Sequence, residues 1–238
     1  MKAPPQPEAT ARRRRGRPPA SFPGHAFDRD AQRAQKRQAL LFEAARLINE
    51  RGPGAVSLEE VGSGLSISKA AVYYYFRSKE ELLFLISDIT FATIWKRLEQ
   101  ALTPQDSEEL PAIEQLNRLI FNHLDFYVAH MPEMKVLSVE ADALSGEWQK
   151  QVNDRKRRYT ERCVKILTDL QAQAGREPNP TECRLSALAL FGMMNWLYQW
   201  YDPKRDGSPV ELSTKMSTIF LHGFLPREIR AENSQARG

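Results

Sequence analysis

The sequence predicts an all-α protein, with an N-terminal three-helix helix-turn-helix domain followed by a C-terminal helical bundle. Three observations lead to this fold class. Apolar residues recur at helical spacing, serine caps and Gly-Pro breaks separate the periodic segments, and no stretch shows the alternation of a half-buried β-strand. We take the elements in order along the chain.

Residues 1–28 are rich in Pro, Arg and Gly and lack apolar periodicity, which predicts a flexible basic arm. Residues 1–37 carry a charge of +7, so the rest carries −3 of the overall +4. This asymmetry indicates a polyanionic partner at one end of the protein. Within the arm, Arg15-Gly16-Arg17-Pro18 resembles an AT-hook core, which inserts arginines into the minor groove. A solvated tail with nonspecific phosphate attraction is the alternative.

A first helix is predicted over about residues 29–51. Leu41, Ala44, Ala45 and Ile48 follow the i, i+3, i+4, i+7 rule of a helix with one buried face. The pattern stops at Gly52-Pro53, a capping glycine followed by a helix breaker.

Two capping boxes mark the next helix starts: Ser57 with Glu60, and Ser78 with Glu81. Ser68 lies between them and can cap a brief helix that runs to about Tyr75. We therefore predict a short helix, a tight turn, a second short helix, and a long helix to about Ala101, with the first domain spanning residues 29–80.

The remainder shows helical periods interrupted by proline and glycine. This pattern predicts a second domain over 81–226 and a tail over 227–238. Its helices are expected at about 111–131, 133–144, 147–174, 181–200 and 210–224.

The short helix after Ser68 has two distinct faces. On a helical wheel Val72 and Phe76 fall together, whereas Ala70 and Tyr74 fall on the opposite side. Three consecutive tyrosines, 73–75, cannot all be buried on one helix. Small residues beside aromatic hydroxyls suit a recognition helix in the major groove, where alanine meets thymine methyls and tyrosine reaches phosphates or bases.

Residues 68–83, SKAAVYYYFRSKEELL, resemble the signature of the TetR family, and the resemblance covers roughly residues 33–85. It implies phosphate contacts from Ser57, Tyr73, Tyr75 and Lys79, and base-facing positions for Lys69, Ala70 and Tyr74. Ser68, at the start of the same helix, is also expected to bind DNA. The family usually has alanine at positions 62 and 64 and glycine at position 66, whereas this chain has Gly62, Gly64 and Ser66. A looser helix-turn-helix is therefore expected.

By the same resemblance the C-terminal bundle binds a small-molecule effector and forms a homodimer through its last two long helices. The segment 195–203, NWLYQWYDP, is similar to the branch that senses acyl-coenzyme A thioesters, and the basic run 155–158 fits the coenzyme's phosphates. The interface candidates are apolar residues of these two helices: Ala187, Leu188, Phe191, Met194, Leu197 and Tyr198 on the first, and Leu212, Met216, Ile219, Phe220 and Phe224 on the second. The expected ligand-binding residues are Phe126, Tyr127, Trp148, Tyr159, Arg162, Asn195 and Trp196.

These expectations describe a repressor that binds double-stranded operator DNA. A sensor of drugs or other hydrophobic ligands is the first alternative, and an architectural DNA-binding protein without an effector is the second. No Gly-rich phosphate loop, Gly-x-Ser-x-Gly elbow or His-Glu-x-x-His motif is present, so we expect no enzyme. We also expect no metal and no cofactor.

Two features bear on localisation. The two cysteines, Cys163 and Cys183, fit a reducing compartment. No signal peptide or membrane-crossing apolar stretch is present, which predicts a cytoplasmic protein without a membrane partner.

Overall fold

The computed structural model describes residues 23–104 and 109–223. Within these residues the secondary structure is entirely helical, which confirms the predicted fold class. The α-helices are α1 (Pro23–Arg51), α2 (Leu58–Gly64), α3 (Lys69–Tyr75), α4 (Lys79–Leu102), α5 (Ala112–Ala129), α6 (Met131–Ser138), α7 (Gly146–Gln173), α8 (Pro180–Asn195) and α9 (Pro209–His222). Three short 3₁₀ segments connect them, at Pro53–Ala55, Glu140–Ala143 and Leu197–Gln199.

Most predicted boundaries agree with the structure to within two residues, and three differ more. Helix α1 begins at Pro23 rather than near residue 29, and proline is well suited to a first helical turn because it needs no partner for a backbone N–H. The segment predicted as 133–144 is α6 followed by a 3₁₀ turn. The segment predicted as 181–200 likewise ends as α-helix at Asn195 and continues as 3₁₀.

From Gln38 onward, the buried apolar residues of the helices form one hydrophobic core. In α1 the predicted inward residues Leu41, Ala44, Ala45 and Ile48 are all buried. Helix α4 packs against α5, α6 and α7, while α5 also packs against α9, and α7 packs against α8. Cys163 and Cys183 are both buried free thiols in this bundle.

Helices α2 and α3 approach each other closely at Gly62. A Cβ atom at Gly62 would lie 2.5 Å from the Val72 Cγ2 and 2.8 Å from the Ile67 carbonyl oxygen, so glycine permits the close approach of the two helices. Ser66 has a φ of 56°, in the left-handed region that glycine tolerates better than serine. The close packing of the two helices therefore requires a small residue at position 62. Ser66 adopts the left-handed backbone conformation of the turn without being a glycine.

Candidate DNA-binding surface and effector cavity

Serine side chains cap the starts of α2 and α3. The Ser57 hydroxyl accepts a hydrogen bond from the Glu60 N–H at 3.2 Å, and the Glu60 carboxylate accepts from the Ser57 N–H at 2.8 Å. The Ser68 hydroxyl accepts from the Ala71 N–H at 3.4 Å. These bonds satisfy backbone N–H groups of the first helical turn, as the sequence predicted.

The two faces of α3 are those that the helical wheel predicted. Val72 and Phe76 are fully buried, whereas Lys69 and Ala70 are exposed. Tyr73 is 45% exposed and Tyr74 62% exposed, while Tyr75 is half-buried with its ring 5.3 Å from that of Tyr74. The outward face therefore presents a lysine, an alanine and two tyrosines.

Glu59 of α2 contacts two residues of this outward face. Its Oε1 lies 2.7 Å from the Lys69 Nζ and accepts a hydrogen bond from the Tyr73 hydroxyl at 3.2 Å. The bond from Lys69 is the largest cause that lowers the pKa of Glu59 and keeps the carboxylate charged. An acidic group thus holds two of the residues predicted to contact DNA.

The remaining predicted DNA contacts lie at the edges of this surface. Lys79, the first residue of α4, is half-buried and donates to the Gly54 carbonyl oxygen at 3.5 Å. Ser57 is exposed at the start of α2. Arg15 and Arg17 lie outside the described residues, so their predicted minor-groove role stays a prediction.

The C-terminal bundle encloses a cavity of about 220 Å³ between α4, α5, α6, α7 and α8. Its wall is largely apolar and aromatic, with a few polar side chains. The lining residues are Phe91, Ile94, His123, Met134, Leu137, Ser138, Lys156, Tyr159, Thr160, Leu188, Phe191 and Asn195. A mainly apolar concavity with a few polar groups is the usual form of a small-molecule site.

Hydrogen bonds connect the cavity residues His123 and Asn195 with each other and with Tyr127 behind them. The His123 Nε2 lies 3.1 Å from the Asn195 Oδ1, and the Tyr127 hydroxyl donates to the Asn195 backbone carbonyl at 2.9 Å. Within the described residues, neither the His123 Nδ1 nor the buried Tyr159 hydroxyl has a hydrogen-bond partner. We refer to these two groups as the open pair. Their rings are 5.8 Å apart, centroid to centroid.

Burial sets the charge of the open pair. It lowers the pKa of His123 to about 4, against the smaller opposing effect of the bond with Asn195. Burial also raises the pKa of Tyr159. The Asn122 side chain offsets part of that second effect but does not reach hydrogen-bond geometry with the tyrosine. Both groups are therefore neutral near pH 7.

The structure brings only part of the predicted ligand set together. Tyr159 and Asn195 line the cavity, and Tyr127 supports Asn195 from behind. Phe126 instead packs against His130, and Trp148 stacks on Phe84 with centroids 5.7 Å apart.

Two further members of that set also lie elsewhere. The Arg162 Nε lies 3.6 Å from the Glu99 Oε1. Trp196 is 56% exposed and lines a separate groove between α8 and α9. Sequence periodicity assigned these side chains to the bundle, but their rotation around each helix depends on packing that the pattern does not specify.

His123 is the most informative residue that the predicted ligand set omitted. Its sequence signal is a histidine among apolar residues of α5. Lys156 was noted only as part of a basic run. In the structure that run is largely ion-paired: Arg155 with Asp88, Lys156 with Asp142 at 3.6 Å, and Arg157 with Asp154 at 2.9 Å. Three residues of the predicted phosphate-binding run thus have acidic partners in the structure.

An apolar face covers α8 and α9 on the outside of the bundle. Leu185 is 57% exposed, Leu188 44% and Trp200 39%. Near Trp196 and Trp200, a groove of about 590 Å³ runs between the two helices and includes Gly192, Met193 and Met216. The predicted interface residues Ala187, Phe191, Met194 and Leu197 are instead buried within the chain. Leu188 of the predicted set belongs to the exposed face, and Met216 and Ile219 of α9 line the groove. Phe224 lies outside the described residues.

Two negative findings apply to the described ranges, 23–104 and 109–223. None of their helices is long and apolar enough to cross a membrane. No group of three or more His, Cys, Asp or Glu side chains in them could hold a metal ion.

Solved structures share this fold. A TetR-family regulator from Bordetella parapertussis 12822 has a TM-score of 0.70 and 24% identity, covering 79% of this chain and 95% of that one. PfmR, a TetR-family regulator from Thermus thermophilus, has a TM-score of 0.68 and 28% identity, covering 79% and 99%. AibR, solved with isovaleryl coenzyme A and operator DNA, has a TM-score of 0.67 and 22% identity, covering 77% and 96%.

Sequence comparison points the same way. The regulator YhgD of Bacillus subtilis, described as an uncharacterized HTH-type transcriptional regulator, is 28% identical over 107 residues. That alignment spans 44% of this chain and about half of YhgD, 54%. The alignment with a second B. subtilis regulator, YuxN, covers 35% of the length of YuxN. Residues 40–86 match the family described as bacterial regulatory proteins, tetR family, and residues 109–224 match the tetracyclin repressor-like C-terminal domain. Together with the helical fold, these matches show that the chain belongs to the TetR family of transcriptional regulators.

Proposed function

We propose that this protein is a repressor that binds operator DNA as a homodimer and is released when an acyl-coenzyme A thioester places its acyl group in the cavity. The observation that carries the proposal is the cavity itself, with its open pair, in the C-terminal bundle of a chain whose N-terminal helices form the DNA-binding domain. A buried polar group without a partner is destabilising, so a ligand that supplies partners binds there favourably.

The proposed DNA contacts follow from the exposure of α3. Lys69, Ala70 and Tyr74 lie on its accessible side and suit contacts with base edges in the major groove. Ser57, Tyr73, Tyr75 and Lys79 surround them and suit contacts with phosphates, which fix the register of the helix on DNA. The basic arm, with Arg15 and Arg17, adds further attraction to the duplex.

The size of the cavity limits the effector. A volume of about 220 Å³ lies below the roughly 300–1,000 Å³ typical of sites for drug-sized ligands. A short acyl group fits this volume, and the coenzyme must then lie outside. The complex of AibR with isovaleryl coenzyme A, a short branched thioester, supports this assignment. Long-chain and steroid-derived thioesters require a larger space.

The charge of the cavity wall argues against the drug-sensing alternative. Among the described residues, no Asp or Glu lines the cavity, whereas Lys156 does. A site for lipophilic cations needs acidic or strongly exposed aromatic groups to balance the ligand's charge. The wall instead suits a neutral acyl group with an anionic extension near the lysine.

The homodimer is proposed through the apolar face of α8 and α9. An exposed apolar patch of this kind is typical of a protein–protein contact. Two recognition helices can then lie about one helical turn apart on DNA, roughly 34–36 Å, and contact successive major grooves. An effector that favours a different spacing lowers operator affinity, and DNA lowers effector affinity by the same factor.

The test begins with the full-length protein and a random duplex library, from which bound sequences are selected. Fluorescence anisotropy on the selected operator then follows release by acetyl-, isovaleryl-, benzoyl- and palmitoyl-coenzyme A, with free coenzyme A as the control. We expect release and a rise in Tm with the short thioesters only. Release by a lipophilic cation, with no response to any thioester, would replace the proposed effector class.

A truncation tests the arm separately. Removing residues 1–22 deletes Lys2, Arg12–Arg15 and Arg17 while leaving α1, which begins at Pro23, intact. Affinity for DNA should fall and its salt dependence should weaken. A larger loss on operators with A·T-rich flanks than on those with G·C-rich flanks supports the AT-hook, and equal losses leave only nonspecific attraction.

A further inference from the structure

The open pair has a defined hydrogen-bonding polarity. The Asn195 Oδ1 can only accept, so the His123 Nε2 carries the ring proton and donates across the 3.1 Å between them. A neutral imidazole has one proton, so the His123 Nδ1 is an acceptor. The Tyr159 hydroxyl can donate. The open pair therefore consists of one acceptor and one donor, on α5 and α7, in two residues that line the cavity and whose rings are 5.8 Å apart.

The surroundings of the open pair are largely apolar, although the charge of Arg97 also acts on Tyr159. Phe191 packs against both rings, at 5.7 Å from His123 and 5.5 Å from Tyr159, and Phe91 lies 5.8 Å from Tyr159. Lys156 is the one charged residue of the described lining, and its Nζ lies 3.6 Å from the Asp142 carboxylate. A carboxylate placed at the open pair would face the lone pair of Nδ1, which disfavours an anion there.

We infer that the buried part of the effector is a short, uncharged acyl group that carries a hydroxyl, as in a 2-hydroxyacyl or 3-hydroxyacyl thioester. The hydroxyl donates to the His123 Nδ1, and the thioester carbonyl accepts from the Tyr159 hydroxyl. We infer a hydroxyl and a carbonyl one or two carbons apart, because the two rings are neighbours, with centroids 5.8 Å apart. This inference rests on the proposed function, because it assigns the group that the effector cavity selects.

The size of the expected preference follows from the burial of the open pair. A site that hydrogen-bonds a ligand hydroxyl rejects the analogue without it, because the site's own polar groups then stay without partners. We expect 3-hydroxybutyryl-coenzyme A to bind at least roughly tenfold more tightly than butyryl-coenzyme A. Free butyrate and 3-hydroxybutyrate should bind more weakly than the corresponding thioesters.

Two conservative variants separate a ligand contact from a structural role. Tyr159→Phe removes only the hydroxyl of the open pair, and it should abolish most of the preference. It should also raise Tm without ligand, because it removes a buried group that lacks a partner. Tyr127→Phe is the matched control, since its hydroxyl is bonded to the Asn195 carbonyl at 2.9 Å. It should lower Tm and keep the preference.

Isothermal titration calorimetry on the full-length protein measures these affinities, and methyl 3-hydroxybutyrate with methyl butyrate repeats the comparison without coenzyme. The inference would be overturned if the hydroxylated compound bound no more tightly than the compound without the hydroxyl, both for the two thioesters and for the two methyl esters. That result would leave an acyl-thioester effector in place. Binding of the esters, with the expected preference but without any response to thioesters, would support the inference and refute the thioester effector. A Tyr159→Phe variant that keeps the full preference would also overturn it.

Discussion

Lys135 of α6 donates a hydrogen bond of 2.9 Å to the backbone carbonyl of Asn49, near the end of α1. The same ammonium lies 5.5 Å from the centre of the Tyr198 ring, in the 3₁₀ segment that follows α8. Its neighbours on α6, Met134, Leu137 and Ser138, line the effector cavity. One short helix thus contacts both the cavity and the DNA-binding domain, and a cation at the end of α1 also suits the helix dipole.

Replacing this lysine should weaken the response to the effector. We expect Lys135→Met to bind operator with wild-type affinity within about threefold but to require several-fold more effector for release, because a link worth about 1 kcal/mol joins the two domains. Anisotropy titrations measure both quantities. Lys150→Met, on the exposed face of α7, is the control. An unchanged effector requirement in Lys135→Met would show that the link carries no coupling.

Glu59 should restrain DNA binding, because it holds Lys69 and Tyr73. Glu59→Gln removes a negative charge from the surface that approaches phosphates and frees Lys69 for them. We expect tighter binding to all sequences and a salt slope steeper by about one unit. Glu161→Gln, exposed on α7, should change neither. Weaker binding by Glu59→Gln would mean that this carboxylate positions Lys69 and Tyr73 on DNA instead.

Tyr74 should contribute to sequence preference, and Tyr73 to general affinity. Tyr74→Ala alters the most exposed ring of α3 and should change which operators are selected from a random library. Tyr73→Phe, which removes a predicted phosphate contact, should weaken binding to all sequences alike. An identical selected motif and affinity for Tyr74→Ala would exclude it from base contacts.

His123 should make folding stability depend on pH. Its pKa is about 4 in the folded protein and about 6.5 unfolded, so between these values the unfolded chain binds a proton that the folded protein rejects. Stability is therefore full above pH 6.5 and falls by up to about 3 kcal/mol as the pH drops to 4. Urea unfolding at fixed protein concentration measures it. His123→Phe should flatten this part of the profile, and His130→Gln, at a more exposed site, should not.

Gly192 offers a test of the dimer. A Cβ atom there meets nothing within 4 Å, so Gly192→Arg fits the single chain, yet it places a charge in the apolar groove of α8 and α9. We expect the variant to fold, to become monomeric by light scattering, and to lose operator affinity. Ala172→Arg, exposed near the end of α7, is the control. A dimeric Gly192→Arg would place the interface elsewhere.

The DNA-binding domain was more predictable than the effector cavity. Ser57, Ser68 and Ser78 cap helices through contacts within a few residues, so the sequence alone specifies them. The cavity joins side chains of five helices, and its membership depends on how each helix is rotated in the bundle. Trp148 and Trp196 were expected in it because they are large and aromatic, but one stacks on Phe84 and the other is exposed. His123 has no local signature that separates a cavity residue from a core residue.

The contact of Gly62 with Val72 bears on the exchange of parts between regulators. An alanine at position 62, common in the family, would collide with Val72 and with the Ile67 carbonyl, so α3 would have to shift. If α3 alone were replaced by that of a relative, a helix positioned to pack against alanine at position 62 would be combined with the glycine of this chain. Residues 57–76, which contain α2, the turn and α3, should therefore be exchanged together when a hybrid regulator with a new operator is built.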